Sequence, residues 1–308
     1  MLHLKSLIVE VSTRCDRKCL LCERNVMSES VINRVMTFEQ FKKIIDQFYV
    51  KTVLFLGSGE PFFAKDLFKM IKYCKSKNII TRVYTNGRLI DVFTKDIIDS
   101  VLDEIVISID SSDPEIYKKI KRSELDKVLS NIKILKEYSD EHKLKTPTIT
   151  TCTIIMKDNI DEIEKIVKFI NNLGIDVISF TTIRKWFEQK EEHSVEDIII
   201  EKAFKKIKEM SIDNKNKVFY PIFEDEKLKE KIKNLGFQVV DDLYCNCSLF
   251  IGVDGTVYPC NRIRLSFGNL LEKDIKEIQK NEEFMKQMKE VSFSCSKCRK
   301  ILEPIERK

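Results

Sequence analysis

The stretch Leu7-Ile-Val-Glu-Val-Ser-Thr-Arg-Cys15-Asp-Arg-Lys-Cys19-Leu-Leu-Cys22 decides how the rest of the chain is read. Its first residues, Leu7–Val11, have the β-branched composition of a buried strand, and three thiols follow within eight residues. In α/β folds with parallel strands, ligands bind at the carboxyl ends of the strands, so a loop in this place is where a cofactor belongs. Three thiolates converging on a point suit an iron–sulfur cluster or zinc. An iron–sulfur cube normally takes four thiolates, so three would leave one iron open to an outside ligand. Zinc could use the same three, but no nearby histidine or fourth cysteine completes its tetrahedron.

Composition narrows the class around this loop. The 308 residues suffice for one large domain or a large domain plus a small one. Lysine plus arginine number 54 and aspartate plus glutamate 49, a net charge of +5 spread over a mixed-sign surface, so nucleic acid is not an expected partner. The first seven residues lack the apolar core of a signal peptide, and the eleven residues from Thr146 to Met156 are among the longest uncharged runs, too short to span a membrane. A cytoplasmic location is expected, where thiols stay reduced and clustered cysteines bind metal. With histidine only at positions 3, 142 and 193, a histidine-rich zinc enzyme or a Ser-His-Asp hydrolase has little to build on. Eight glycines are few, which marks each as a place where the backbone demands one.

From Leu7 to about Arg184 short apolar runs alternate with amphipathic stretches of helical length. Strands are predicted at 7–11, 52–56, 79–84, 104–109, 148–156 and 177–182. Helices are predicted at 37–48, opened by a Thr37/Gln40 capping box, and at 65–77, 92–101, 114–138 in two pieces, and 159–172. Six β-α units in a row imply parallel strands with right-handed crossovers, in a doubly wound sheet or an open barrel. Beyond Trp186 comes a charged stretch, a helix at 195–210, and a lysine-rich segment, 211–240, with no clear assignment. From Asp241 onward the chain turns cysteine- and glycine-rich, with a hairpin signal at Asp254-Gly255 between short strands at 249–253 and 256–258, then a helix at 273–289.

Further motifs stand at the ends of these strands. Leu56-Gly57-Ser58-Gly59-Glu60-Pro61 follows the second, Tyr84-Thr85-Asn86-Gly87 the third, and Ser108-Ile109-Asp110-Ser111 ends the fourth. Two glycines let a backbone approach a ligand closely, and a carboxylate can receive an ammonium. Taken singly, the triplet could be zinc or chance, Gly-x-Gly-Glu a turn, and Ser-x-Asp a helix N-cap. Together and in this order, the Cys-x3-Cys-x2-Cys triplet and the strand-end motifs resemble the radical S-adenosylmethionine (radical SAM) enzymes. The resemblance implies a partial (β/α)6 barrel in which Cys15, Cys19 and Cys22 hold a [4Fe-4S] cluster whose open iron takes SAM. It also implies that Gly57, Ser58, Gly59, Glu60 and Pro61 bind the methionine end of SAM, with Asn86, Ser108 and Asp110 also at the cofactor and Arg184 as a candidate partner for a carboxylate. Leu21 replaces the aromatic residue the family usually carries before the third cysteine, a change expected to keep the cluster shielded.

The late cysteines make a second group. Cys245 and Cys247 precede the hairpin, Cys260 follows it in Asp254-Gly-Thr-Val-Tyr-Pro-Cys260, and Cys295-Ser-Lys-Cys298 comes later. This resembles the auxiliary-cluster extension of radical SAM enzymes, called SPASM in its full form and twitch when shortened. Full SPASM carries seven cysteines for two clusters, and five here imply one auxiliary iron–sulfur cluster, read as [4Fe-4S], on Cys245, Cys260, Cys295 and Cys298. Strand alternation puts Cys247 on the same face as Cys245, so it is an alternative ligand, a buried apolar residue or a hydrogen-atom donor to a substrate radical. A four-cysteine zinc ribbon is the competing reading.

The domains expected are a barrel core at 1–184, a charged helical connector at 185–240 and a small auxiliary-cluster domain with a β-hairpin at 241–308. The function expected is reductive cleavage of SAM to a 5′-deoxyadenosyl radical that takes a hydrogen from a substrate, with the auxiliary cluster assisting oxidation or substrate binding, as in a small-molecule dehydrogenase. A peptide-modifying maturase or epimerase is the alternative, disfavoured slightly because the first strand starts too early for a leader-recognition domain. A non-enzymatic zinc or iron–sulfur electron carrier is the reading of another class. The partners expected are a small-molecule or peptide substrate and an electron donor such as flavodoxin or ferredoxin, with no membrane.

Overall fold

The computed structural model describes residues 1–143, 147–183, 192–211, 218–222, 226–235, 248–259 and 266–280. Among them the chain forms two compact units. The first comprises residues 1–15 and 27–83 with the described residues from 248 onward, and the second residues 16–26 together with the described residues of 84–240.

In the first unit, β1 (Leu2–Val9) lies between β2 (Phe48–Phe55) and β8 (Ser248–Ile251), parallel to both. β3 (Ile80–Thr85) continues the sheet beyond β2 in parallel. Ser6 to Val9 are all buried, the signature of a strand covered on both faces. α1 (Phe38–Ile45) starts at the expected capping box, in which Gln40 N donates to Thr37 Oγ1 and Thr37 N to Gln40 Oε1. It buries Phe41, Ile44 and Ile45, one stripe of a 3.6-residue period. α2 (Leu67–Ser76) buries Cys74 in the core. The hairpin at Asp254-Gly255 is present: β9 (Val257–Tyr258) runs antiparallel to β8, and Gly255 takes a φ of +86° that favours glycine. α9 (Ile275–Gln279) begins two residues into the helix predicted at 273–289 and is capped at Lys280; residues 281–289 lie outside the described residues.

In the second unit the order is β4 (Glu104–Ser108), β5 (Thr148–Ile155), β6 (Val177–Thr182) and β7 (Val218–Ile222), all parallel. α3 (Ile90–Asp99), α6 (Ile163–Asn172) and α7 (Asp197–Ser211) match predicted helices. The helix predicted at 114–138 is in two pieces, α4 (Pro114–Lys121) and α5 (Leu125–Glu141), separated at Arg122, whose φ of +52° ends α4 in the left-handed region. β7 and α8 (Glu226–Asn234) fall in the lysine-rich segment that had no assignment. Pro221 argues against a strand when read locally, yet β7 is the last strand of its unit's sheet, where a missing N–H is tolerated.

The side chain of Asp113 opens α4, accepting from Glu115 N at 2.9 Å and Ile116 N at 3.1 Å, with Pro114 in the first turn. Asp113→Ala is expected to cost about 1 kcal/mol. Urea denaturation should show a lower midpoint at unchanged slope, and an unchanged midpoint would contradict the cap.

Candidate active site

In the first unit the chain leaving β1 is tied down before it reaches Cys15. Thr13 N donates to Arg34 O, Met36 N to Val11 O, and Arg34 N to Thr13 Oγ1. The Gly57–Pro61 segment packs against the same stretch. Ser58 donates through both N (2.7 Å) and Oγ (2.8 Å) to Glu10 Oε1, and Glu60 N donates to Arg14 O at 2.8 Å. Gly59 cannot be replaced without moving backbone, because a Cβ there would stand 2.6 Å from Arg14 O. The predicted glycine requirement is therefore met in part by protein itself: the motif braces the segment that leads into the cysteines. Glu60 is buried and its carboxylate accepts from Phe62 N at 3.3 Å, capping a 3-10 turn at Pro61–Phe63.

The second unit holds residues 16–26, and α4 is their support. Leu20 N donates to Ile120 O at 2.8 Å, and Cys19 Sγ lies 3.5 Å from Lys121 O. Leu21 packs on an apolar cluster of Ile120, Met156 and Ile183, so the predicted shielding residue does sit among hydrophobic side chains. Asp16 accepts from Asn86 Nδ2 at 2.9 Å and from Arg88 NH1 at 2.7 Å, which places Asn86 on the cysteine loop. Gly87 follows with a φ of +81°, its carbonyl accepting from Asn131 Nδ2 of α5. Cys22 N donates to Cys19 O, and burial pushes the Cys22 thiol above its usual range, so ligation as a thiolate would have to be driven by metal.

Ser108 and Asp110 part company. A Cβ at Gly87 would meet both Ile107 and Val128 of α5, so Ile107 faces the helix. By alternation Ser108 and its register partner Cys152 face the other side of the sheet. Asp110 is 1% exposed, with Oδ1 accepting from Ile154 N at 2.8 Å and Oδ2 paired with Lys121 Nζ at 2.6 Å. Burial works against the charge on Lys121, but Asp110 more than offsets it and the ammonium is held above its usual range. Lys121 and Glu10 have no motif around them in the sequence. Only the burial of charged side chains beside the two motifs identifies them.

None of Cys15, Cys19, Cys22, Cys74 and Cys152 is in a disulfide. Among the described residues, no three histidine, cysteine, aspartate or glutamate side chains form a group that could hold a single metal ion. Arg184, Cys245, Cys247, Cys260, Cys295 and Cys298 lie outside the described residues. What the described residues say about an iron–sulfur cluster comes from Arg17, between the first two cysteines. It is 3% exposed, and its Nε and NH2 are buried with no hydrogen-bond partner among the described residues. Soft thiols beside buried, unsatisfied cationic donors fit an anionic thiolate-ligated group.

Comparison with known proteins agrees. Residues 9–170, just over half of the chain, match the profile of the radical SAM superfamily, and residues 244–299 match the SPASM iron–sulfur cluster-binding domain. A probable GTP 3′,8-cyclase of Methanocaldococcus jannaschii is 28% identical over 84% of this chain and 85% of its own length. An AdoMet-dependent heme synthase of Methanosarcina barkeri is 22% identical over 94% and 86%. Among solved structures, Streptococcus suis SuiB bound to its precursor peptide SuiA shares the fold with a TM-score of 0.72 at 16% identity, over 92% of this chain and 66% of SuiB, so the chain spans about two thirds of that enzyme's length. The structure of anSMEcpe with bound AdoMet has a TM-score of 0.67 at 19% identity, over 93% of this chain and 79% of that one. The α/β fold with parallel strands is thus shared with these structures, and the chain belongs to the radical SAM superfamily, with a SPASM-type iron–sulfur domain at its C-terminal end.

Proposed function

We propose that this radical SAM enzyme abstracts a hydrogen atom from a polar small-molecule substrate, using a [4Fe-4S] cluster on Cys15, Cys19 and Cys22 and one auxiliary [4Fe-4S] cluster. The observation that carries the reading is the docking of the cysteine loop along α4, beside the buried and unsatisfied Arg17. When bound, the first cluster would supply the electron that cleaves SAM to methionine and a 5′-deoxyadenosyl radical. The chain's own residues bind, orient and exclude water. Gly57 to Pro61 offer backbone groups and the Glu60 carboxylate to the methionine end of SAM, with Glu10 fixing Ser58 in place. Asn86 and Ser108 serve the rest of the cofactor. Asp110, with both oxygens engaged, serves indirectly by anchoring Lys121 and the end of α4. Leu21, Ile120, Met156 and Ile183 keep water from the loop. Arg184 is kept as a candidate partner for a carboxylate.

Cys245, Cys260, Cys295 and Cys298 are proposed to carry the auxiliary cluster, with Cys247 as alternative ligand or hydrogen donor, and the C-terminal profile match supports this assignment. On this reading the core ends near residue 184, a connector follows to 240, and the auxiliary domain begins at 241. An external donor such as flavodoxin or ferredoxin delivers the electron. The near full-length similarity to a probable nucleotide cyclase favours a small molecule. The fold shared with SuiB, whose structure holds a precursor peptide, keeps a peptide substrate as the second reading.

Anaerobically reconstituted and reduced protein should convert SAM to 5′-deoxyadenosine, and the triple variant Cys15→Ala/Cys19→Ala/Cys22→Ala should lose this by at least about 100-fold, the upper end of what removing a mere partner of a metal ligand costs. Turnover that survives in the triple variant counts against the assignment. Replacing Cys245, Cys260, Cys295 and Cys298 together with alanine should lower the iron content while slow SAM cleavage persists. Stoichiometric zinc with unchanged iron would instead assign those four residues to a zinc ribbon.

A further inference from the structure

Arg17 carries a charge where a charge should not stand alone. Its NH1 donates to Tyr117 Oη at 3.0 Å and its Cζ lies 5.8 Å from the Tyr117 ring centroid, while Nε and NH2 find no partner among the described residues. Arginine does not shed its proton, so an orphaned and desolvated guanidinium is costly unless an anion completes it. The buried carboxylate of Asp110 is already engaged by Lys121 at 2.6 Å. Tyr117 supplies no charge, because burial holds its hydroxyl above the usual range. Around Tyr117, then, the cations are Arg17 and Lys121 and the carboxylate is Asp110, and Arg17 is the cation with donors left over.

Its position points to what it serves. Tyr117 and Lys121 are four residues apart on α4, so they are neighbours on one face, with Cβ atoms roughly 5–6 Å apart. Tyr117 holds the Arg17 guanidinium, and the Lys121 carbonyl meets Cys19 Sγ at 3.5 Å. The guanidinium and the Cys19 thiol thus both contact α4, at positions 117 and 121, and Arg17 is only two residues from both Cys15 and Cys19. The thiol also faces the C-terminal end of α4, whose carbonyls disfavour negative charge. Lys118, Lys119 and Lys121 already place positive charge at that end of the helix, and Arg17 adds a buried cation on the cysteine loop itself.

We propose that Arg17 is the counter-charge of the cysteine loop: its Nε and NH2 donate to the sulfurs of the iron–sulfur cluster on that loop and raise its reduction potential. This rests on the reading of Cys15, Cys19 and Cys22 as cluster ligands. Reduction adds one electron to an already anionic group, and a fixed cation with N–H donors favours the reduced form more than the oxidised one. Arg17 is a positioning and tuning residue that acts on the cluster's electronics, and Tyr117 holds it in place.

Arg17→Gln and Arg17→Lys test this by EPR-monitored redox titration of the signal that the triple cysteine variant lacks. Arg17→Gln should lower the reduced-to-oxidised ratio at a fixed potential by about tenfold, equivalent to ~59 mV for one electron, at unchanged iron content. Arg17→Lys should recover most of it. Equal potentials in wild type and Arg17→Gln would overturn the proposal. So would weaker SAM binding at unchanged potential, which would give Arg17 to the SAM carboxylate instead. Should Arg17→Gln fail to fold, wild-type protein labelled with 15N-arginine keeps the test open: a 15N coupling to the reduced cluster is expected and should vanish in Arg17→Lys, and its absence overturns the proposal. A wild type with no cysteine-dependent signal overturns the ligand reading as well, an outcome distinct from a signal whose potential ignores Arg17.

Discussion

The hydrogen bond from Leu20 N to the Ile120 carbonyl and the contact of Cys19 Sγ with the Lys121 carbonyl fix the cysteine loop to the last turn of α4. Much of the second unit supports that turn. Asp113 and Pro114 start α4, the left-handed Arg122 stops it, and the short helix presents different residues to different neighbours. Ile120, with Ile116 packed beside it, joins the apolar cluster, Tyr117 and Lys121 meet Arg17 and Asp110, and Lys119 pairs outward with Asp158 at 2.6 Å. A loop meant to hold a cofactor in one geometry needs such supports, because a flexible loop would lose its orientation to entropy. In the first unit the same task falls to the pairing of Val11 to Thr13 with Arg34 to Met36, and to Gly59 closing on Arg14.

Burying Asp110 with Lys121 is an expensive way to hold a helix. Desolvation of such a pair consumes most of its attraction, and removing one partner typically costs about 3–5 kcal/mol because the other is left uncompensated. Here the pair is completed by the Ile154 N–H on Asp110, and the Asp110 carbonyl accepts from Asn159 Nδ2 at 2.7 Å. A closed network of this kind specifies one arrangement of α4 over the ends of β4 and β5. Arg17 is the member left incomplete, as expected where a charged group has been positioned for a ligand.

The order of elements from Leu7 to Thr182 could be read from the sequence because apolar periodicity and turn residues agree there with the final structure. The capping box of Thr37 and Gln40 is a case where local chemistry sufficed. The cysteine triplet, Gly57 to Pro61 and Asn86 were visible as motifs at strand ends. Lys121, Glu10 and Tyr117 were not, since a lysine, a glutamate and a tyrosine among many charged and aromatic residues have no local mark, and their importance comes from burial against partners distant in the chain. The role of Asp110 was legible in position but not in partner. β7 was hidden by Pro221 and the surrounding lysines, which suit an edge strand and would break a central one.

The central claim is that the loop of Cys15, Cys19 and Cys22 presents a cluster with one iron open to SAM. Electron-nuclear double resonance on the reduced protein with SAM labelled by 15N in its amino group tests this directly. The EPR signal should change on adding SAM, with a resolved 15N coupling showing that nitrogen bound at iron. A reduced cluster whose spectrum is indifferent to SAM and shows no such coupling would contradict it.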